Sequence, residues 1–208
     1  MSGLRISGLT CVKRDRVLFE ALNFQLMPGE LLYLRGPNGA GKTSLLRIIT
    51  GLSEPESGEV CYDDMPIASS HSFLSALIYL GHKAGLNGAL SAMDNLQFWL
   101  AQHGTEVSPS GIYAVLETLG LVGLEDIPVR LLSAGQQRRV ALSRLWLKPA
   151  KIWVLDEPFT ALDIAGIAWL ERQFKQHVDN GGMIITTSHQ PLSENAGKHS
   201  TLDLEYRF

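Results

Sequence analysis

The chain has 208 residues, with 18 Lys and Arg against 21 Asp and Glu, a formal net charge of -3, and 45% hydrophobic to 19% charged residues. That balance excludes a disordered chain and a general nucleic-acid binder, so no nucleic-acid partner is expected. No run reaches the roughly 18 apolar residues of a membrane-spanning helix, and Met1-Ser2-Gly3-Leu4-Arg5 lacks the basic and apolar regions of a secretion signal; any membrane passage must come from another chain. The length suits one domain over 1–208 with one sizeable core and room for an inserted lobe. Cys11 and Cys61, the only cysteines, have no metal-ligand spacing and read as buried or free thiols in a reducing compartment.

Along the chain, Leu4 to Leu9 alternates as a half-buried strand, Lys13-Arg14-Asp15-Arg16 is a charged turn, and a second strand starts at Val17. Leu22 to Leu26 alternates again and stops at the turn Met27-Pro28-Gly29-Glu30. Leu31 to Leu34 is an apolar strand, and a helix from about Thr43 ends near Gly51, which suits a C-cap. Glu54 to Gly58 is a loop, Glu59 to Tyr62 a short strand, and Leu77 to Leu80 a buried one. From Gly81 to about Leu132 the pattern becomes helical, with amphipathic segments over Met93 to His103 and Tyr113 to Leu119. A helix is expected from Ala134 to Leu147, capped by Ser133 and stopped by Lys148-Pro149. Ile152 to Leu155 and Met183 to Thr187 read as parallel strands buried on both faces, separated by a helix over Ile164 to Val178. Thr201 to Tyr206 alternates as an edge strand. Trp146, Trp153 and Phe159 read as core residues.

Gly36-Pro37-Asn38-Gly39-Ala40-Gly41-Lys42-Thr43 fits G-x-x-x-x-G-K-[ST] without a mismatch and lies between a strand and a helix. Its glycines let backbone N–H groups close on phosphate oxygens, and the following helix points its positive dipole end the same way. Lys42 supplies a cation for the β and γ phosphates, and the Thr43 hydroxyl a ligand for Mg²⁺. Asp156 and Glu157 end the Ile152 to Leu155 strand, where open α/β sheets bind ligands. There Asp156 can hold Mg²⁺ and Glu157 can act as base toward an attacking water. Leu132-Ser133-Ala134-Gly135-Gln136 opens a helix and forms a second anion site from free N–H groups and the Ser133 hydroxyl.

With the P-loop, Ser133-Ala134-Gly135-Gln136, Asp156-Glu157, Ala161-Leu162-Asp163 and His189 in this order, the chain resembles the ATP-binding-cassette (ABC) ATPases, whose signature reads L-S-G-G-Q. The resemblance implies an α/β P-loop NTPase fold: a RecA-like core, an N-terminal antiparallel β subdomain, and a helical subdomain inserted over about 84–147. It implies ATP and Mg²⁺ as ligands. It also implies a head-to-tail homodimer in which Ser133 to Gln136 of one copy closes on the γ-phosphate held by the P-loop of the other. Asp163 would then lie at the dimer seam and His189 on the γ-phosphate, with Lys42, Glu157 and His189 carrying catalysis.

Three departures stand out. Ala134 replaces the usual signature Gly, and only its backbone N–H is needed there. His82 occupies the position where the family places a Gln that reaches Mg²⁺ or the attacking water and senses the membrane partner. No aromatic stands near Lys13 or Arg14, where a ring usually stacks on adenine; Arg14 or Arg16 could stack there instead, or the segment is a solvated turn. Arg138 and Arg139 read equally as a solvated helix face with intrachain ion pairs or as phosphate contacts.

Tyr79-Leu80-Gly81-His82, Ser143-Arg144-Leu145-Trp146-Leu147 and Leu155 to Asp163 are together similar to the cytochrome c maturation ATPases, the ATP-binding subunits of bacterial haem exporters. That resemblance implies a peripheral subunit on the cytoplasmic face of the inner membrane, joined to integral membrane subunits. Its ATP hydrolysis would drive haem delivery to, or release of, a haem chaperone. A soluble cassette ATPase of iron–sulfur type, or a transporter ATPase for another substrate, are the alternatives.

Overall fold

Three apolar runs lie side by side and bury both their faces, which fixes the rest of the architecture. The computed structural model describes residues 3–206; Met1 and Ser2, the start of the stretch weighed as a signal, lie outside the described residues. Strands β1 (Leu4–Lys13) and β2 (Arg16–Leu26) form a hairpin, followed by β3 (Leu31–Arg35), α1 (Lys42–Ile49), β4 (Ser57–Tyr62) and β5 (Met65–Pro66). Next come α2 (His71–Ala76), β6 (Leu77–Leu80), α3 (Ala92–Gln102), α4 (Pro109–Thr118), α5 (Ala134–Leu142) and α6 (Arg144–Leu147). The chain finishes with β7 (Ile152–Leu155), α7 (Ile164–Asp179), β8 (Met183–Thr187) and β9 (Ser200–Asp203). One sheet has the order β2-β1-β4-β5 and is antiparallel; the other has the order β6-β7-β8-β3-β9 and is parallel.

Side chains of a strand alternate between faces, so a strand covered on both sides must be apolar throughout. Leu32, Leu34, Ile152, Val154, Met183 and Ile185 point into a core shared with α1 and the antiparallel sheet. Leu31, Tyr33, Trp153, Leu155 and Ile184, on the other face, pack with Leu142, Leu170 and Phe174 from the helices. A third cluster, including Leu96, Leu100, Ile112, Leu116 and Val140, fills the helical subdomain. The α/β class, the antiparallel subdomain and the helical insertion thus agree with the expectation. Trp153 is buried, and the Phe159 ring sits 5.5 Å from that of Phe174. Cys11 and Cys61 are buried and unpaired, and burial pushes both thiol pKa values up.

Three local readings change. The helix expected over Ala134 to Leu147 is two segments broken at Ser143, whose hydroxyl donates to the Val140 carbonyl at 2.7 Å, a back-bond that competes with the helical ladder. Helix α4 starts at Pro109, earlier than its apolar pattern suggests, because Ser108 caps it and Pro suits the first helical position. Helix α2, absent from the sequence reading, is capped by Ser70, which accepts from the Phe73 N–H.

Phe174 is fully buried between α7 and the sheet. Phe174→Ala should therefore lower unfolding stability by about 3–5 kcal/mol, read from the urea midpoint.

Candidate active site

Parallel pairing in register brings the C-terminal ends of four strands to one edge. Leu80 stands opposite Leu155, Leu155 opposite Thr186, and Leu34 opposite Thr187. The residues that follow, His82, Asp156 with Glu157, His189 and the Gly36 to Thr43 loop, must therefore emerge together.

The loop after β3 adopts backbone that only glycine enters freely: φ is 147° at Gly36, 83° at Gly39 and 101° at Gly41. At Gly36 a Cβ would also meet the Leu204 carbonyl oxygen at 2.4 Å. Lys42 Nζ donates to the carbonyls of Gly36 (2.6 Å) and Pro37 (3.2 Å). Two of its three protons are thus accounted for within the loop, leaving one for a phosphate oxygen. Pro37, Asn38 and Ala40 complete the loop, with Ala40 fully buried in the core beneath it. Arg16 does not dangle in solvent: its Nη2 donates to the Gly39 carbonyl at 3.0 Å, and its guanidinium lies 3.8 Å from the Tyr206 ring centre. Arg14 has φ 48° and stays in the exposed hairpin turn.

Asp156 is buried and bonded on both oxygens. Thr43 Oγ1 donates to its Oδ2 at 2.8 Å, and Thr187 Oγ1 to its Oδ1 at 2.9 Å. Thr43 and Asp156 thus converge as hard oxygen donors, a set that fits Mg²⁺ completed by phosphate oxygens and water. Among the described residues, no cluster of three or more His, Cys, Asp or Glu forms a protein-only metal cage.

Glu157 follows with φ 51°, the left-handed region a non-glycine residue seldom enters. Its N–H donates to Thr187 Oγ1 at 2.8 Å, and its carboxylate is flanked by two histidines: His189 Nε2 at 2.9 Å from Oε1 and His82 Nδ1 at 3.2 Å from Oε2. Both rings are more than half exposed, whereas the Glu157 side chain is 15% exposed. The segment bearing His189 is held by the Tyr33 hydroxyl, which is within hydrogen-bond reach of the Ser188 and Gln190 carbonyls. An open cleft of about 270 Å³ adjoins Glu157, lined in part by Thr160, Ala161, Ser188 and His189.

Ser133 caps α5 with a capping box: its Oγ accepts from the Gln136 N–H, and Gln136 Oε1 accepts from the Ser133 N–H. Ala134 is the first helical residue, and a Cβ on Gly135 would lie 2.8 Å from the Ala161 carbonyl oxygen. Asp163 caps α7 through the Gly166 N–H and pairs with Arg139 Nη2 at 3.2 Å. Arg139 therefore makes the intrachain ion pair. Arg138 matches neither sequence reading: it is 5% exposed and donates only to carbonyls, those of Gly81, Asp156, Glu157 and Pro158.

Sequence reasoning missed Thr187 and Tyr206 as members of this site, and weighed Arg138 for ion pairs or phosphate rather than for the loop carbonyls it holds. Strand register could have found Thr187, which lies level with Asp156 once Leu155 is paired with Thr186. No comparable signal marks Tyr206, whose contact depends on where the chain goes after β9.

The family described as ABC transporter matches residues 19–160. The chain belongs to that family. Cytochrome c biogenesis ATP-binding export proteins are close in sequence. That of Idiomarina loihiensis is 49% identical over 98% of this chain and 93% of its own length. That of Vibrio vulnificus is 46% identical over 94% and 96%, and that of Vibrio cholerae 47% over 91% and 92%. Among solved structures, a putative ABC transporter ATP-binding protein from Pyrococcus furiosus superposes with a TM-score of 0.83 at 28% identity, covering 98% of each chain. An ATP-binding subunit of an ABC transporter superposes at 0.85 with 22% identity over 98% and 86%, a likeness of fold. ATP is thus the nucleotide, and this ABC domain is an ATPase.

Thr187→Val tests the link between the two acids of this ATPase. It leaves one Asp156 oxygen without its donor and the Glu157 N–H without its acceptor, so unfolding stability should drop by about 1–3 kcal/mol for each orphaned group. Turnover should fall with it in a phosphate-release assay. Unchanged stability would mean that the hydroxyl bridge contributes nothing.

Proposed function

We propose that the chain is the ATP-hydrolysing subunit of a haem-export, cytochrome c maturation complex. It would work as a head-to-tail homodimer on integral membrane subunits at the cytoplasmic face of the inner membrane, with a haem chaperone served indirectly. The observation carrying the ATPase mechanism is the hydrogen-bonded chain Thr43, Asp156, Thr187, Glu157, which joins phosphate loop, metal ligand and base. The export role rests on 46–49% identity to cytochrome c biogenesis ATP-binding export proteins over more than nine-tenths of the chain. A soluble iron–sulfur-type cassette and a transporter ATPase for another substrate have no comparable support. Among the described residues no helix is long and apolar enough to cross a membrane, in keeping with a peripheral subunit.

In this reading the P-loop N–H groups and Lys42 bind the β and γ phosphates, and Thr43 and Asp156 hold Mg²⁺. The ion, when bound, neutralises charge on the phosphate oxygens. Glu157 accepts a proton from the attacking water, and His189, whose Nε2 lies on the Glu157 carboxylate here, would turn that N–H to the γ-phosphate when ATP is bound. In Ser133 to Gln136 of the second copy, the Ser133 and Gln136 N–H groups are taken by the capping box, so the Ala134 and Gly135 N–H groups and the Ser133 hydroxyl are the donors to the same γ-phosphate, with Asp163 at the seam. His82 stands on the other Glu157 oxygen in the segment leading toward the helical subdomain, a place suited to reporting the membrane partner's state.

Lys42→Ala should abolish tight ATP binding in calorimetry. Glu157→Gln should keep binding, lose turnover by about 10²–10⁴-fold and accumulate an ATP-loaded dimer visible by sedimentation. Sustained turnover in Glu157→Gln would reassign the base. In cells, His82→Ala should retain ATPase activity while cytochrome c maturation stops; equal activity in both assays would leave His82 outside coupling.

A further inference from the structure

Arg138 lies on α5, the helix opened by Ser133, and its guanidinium is used entirely on backbone. Nε donates to the Pro158 carbonyl at 3.0 Å, Nη2 to those of Asp156 (3.1 Å) and Glu157 (2.7 Å), and Nη1 to that of Gly81 (3.3 Å). Two loops are gripped at once: the one that carries Glu157 after β7, and the one that carries His82 after β6. These are also the two residues whose side chains meet at 3.2 Å. Burial pulls the Arg138 pKa below the ordinary arginine range, with the Asp156 and Glu157 charges opposing that shift. A charge desolvated in this way is unfavourable unless well-placed hydrogen bonds and opposite charges offset the cost, as the four carbonyls and the two acids do here. Only a planar fork reaches several carbonyls in one plane; a lysine is a single point charge.

The grip falls at a point where the backbone is in an unfavourable conformation. Glu157 sits at φ 51°, its N–H fixed by Thr187 and its carbonyl by Arg138. The left-handed peptide that aims the carboxylate is therefore clamped at both ends. The same half of α5 makes two further contacts with the loop after β7: Gly135 lies against the Ala161 carbonyl, and Arg139 pairs with Asp163. Displacement of α5 is therefore felt at the Glu157 backbone through the hydrogen bonds that anchor the Arg138 guanidinium to it.

We propose that Arg138 is a positioning residue that makes the aim of Glu157 in one nucleotide site depend on the seating of the signature helix that serves the other. The inference rests on the head-to-tail reading above. It assigns to one guanidinium the communication between the two sites of the dimer.

Kinetics of Arg138→Met, a substitution that keeps the bulk and removes the fork, test it. Mg·ATP affinity should be unchanged while kcat falls about 10²-fold, the loss expected when a catalytic group is misplaced by about 1 Å. Cooperativity in ATP should fall toward a Hill coefficient of one. Arg138→Lys should restore little of the rate, and methylguanidinium should partly rescue Arg138→Ala without altering its affinity for ATP. Wild-type kcat and cooperativity in Arg138→Met would overturn the inference. So would a parallel loss of affinity, rate and unfolding midpoint in Met, Lys and Ala variants with no rescue. Should Arg138→Met fail to fold, Arg138→Lys decides, since wild-type rate there would show that charge alone suffices. The dimer reading is read separately: Glu157→Gln and the double variant Arg138→Met/Glu157→Gln should both sediment as ATP-dependent dimers. Absence of the dimer in Glu157→Gln alone would sink the two-site arrangement, whatever Arg138 does to kcat.

Discussion

The Asp156 carboxylate, buried and bonded by one threonine on each oxygen, is the contact on which the site depends. A lone buried carboxylate is costly, and here Thr43 from the first turn of α1 and Thr187 from the end of β8 satisfy it. The P-loop helix, the β7 end and the β8 end are thereby fixed to one another by a single side chain. Every other element of the site is set relative to that point. Glu157 is its chain neighbour, and Thr187 also receives the Glu157 N–H. Thr43 and Asp156 are also the two oxygen donors that would hold Mg²⁺, which would neutralise charge on phosphate oxygens.

Around this centre, rigidity comes from buried groups bonded to backbone. Tyr33 reaches the carbonyls on both sides of His189, Arg138 those of the Glu157 loop, and Arg16 that of Gly39. Each places a polar head among loop carbonyls that no strand or helix would satisfy. The loops of this edge are therefore held in place by side chains rooted in regular elements, which is how irregular backbone can present groups at fixed distances.

Much of this was legible in the residues. The apolar run at 152–155 announced a strand buried on both faces, those at 31–34 and 183–185 announced further strands, and the P-loop spacing located the phosphate loop. Pattern alone could not foresee that Ser143 would interrupt a helix, since its effect comes from a hydroxyl choosing the Val140 carbonyl. Nor could it distinguish Arg138 from Arg139: adjacent on one helix, they differ because one faces the Glu157 loop and the other faces Asp163. Contacts such as Arg16 on Tyr206 join residues far apart in the chain, and only the packed fold decides them.

The position of β3 has a further consequence, for the order of events during synthesis. This strand, near the beginning of the chain, is hydrogen-bonded between β8 and β9, near its end. The loop it launches is packed at Gly36 against the Leu204 carbonyl. Contacts of such long sequence separation form late. A nascent chain on the ribosome therefore carries the phosphate-loop sequence long before that loop can take up its packed form, since the strand that launches it waits for neighbours encoded at 183–187 and 200–203.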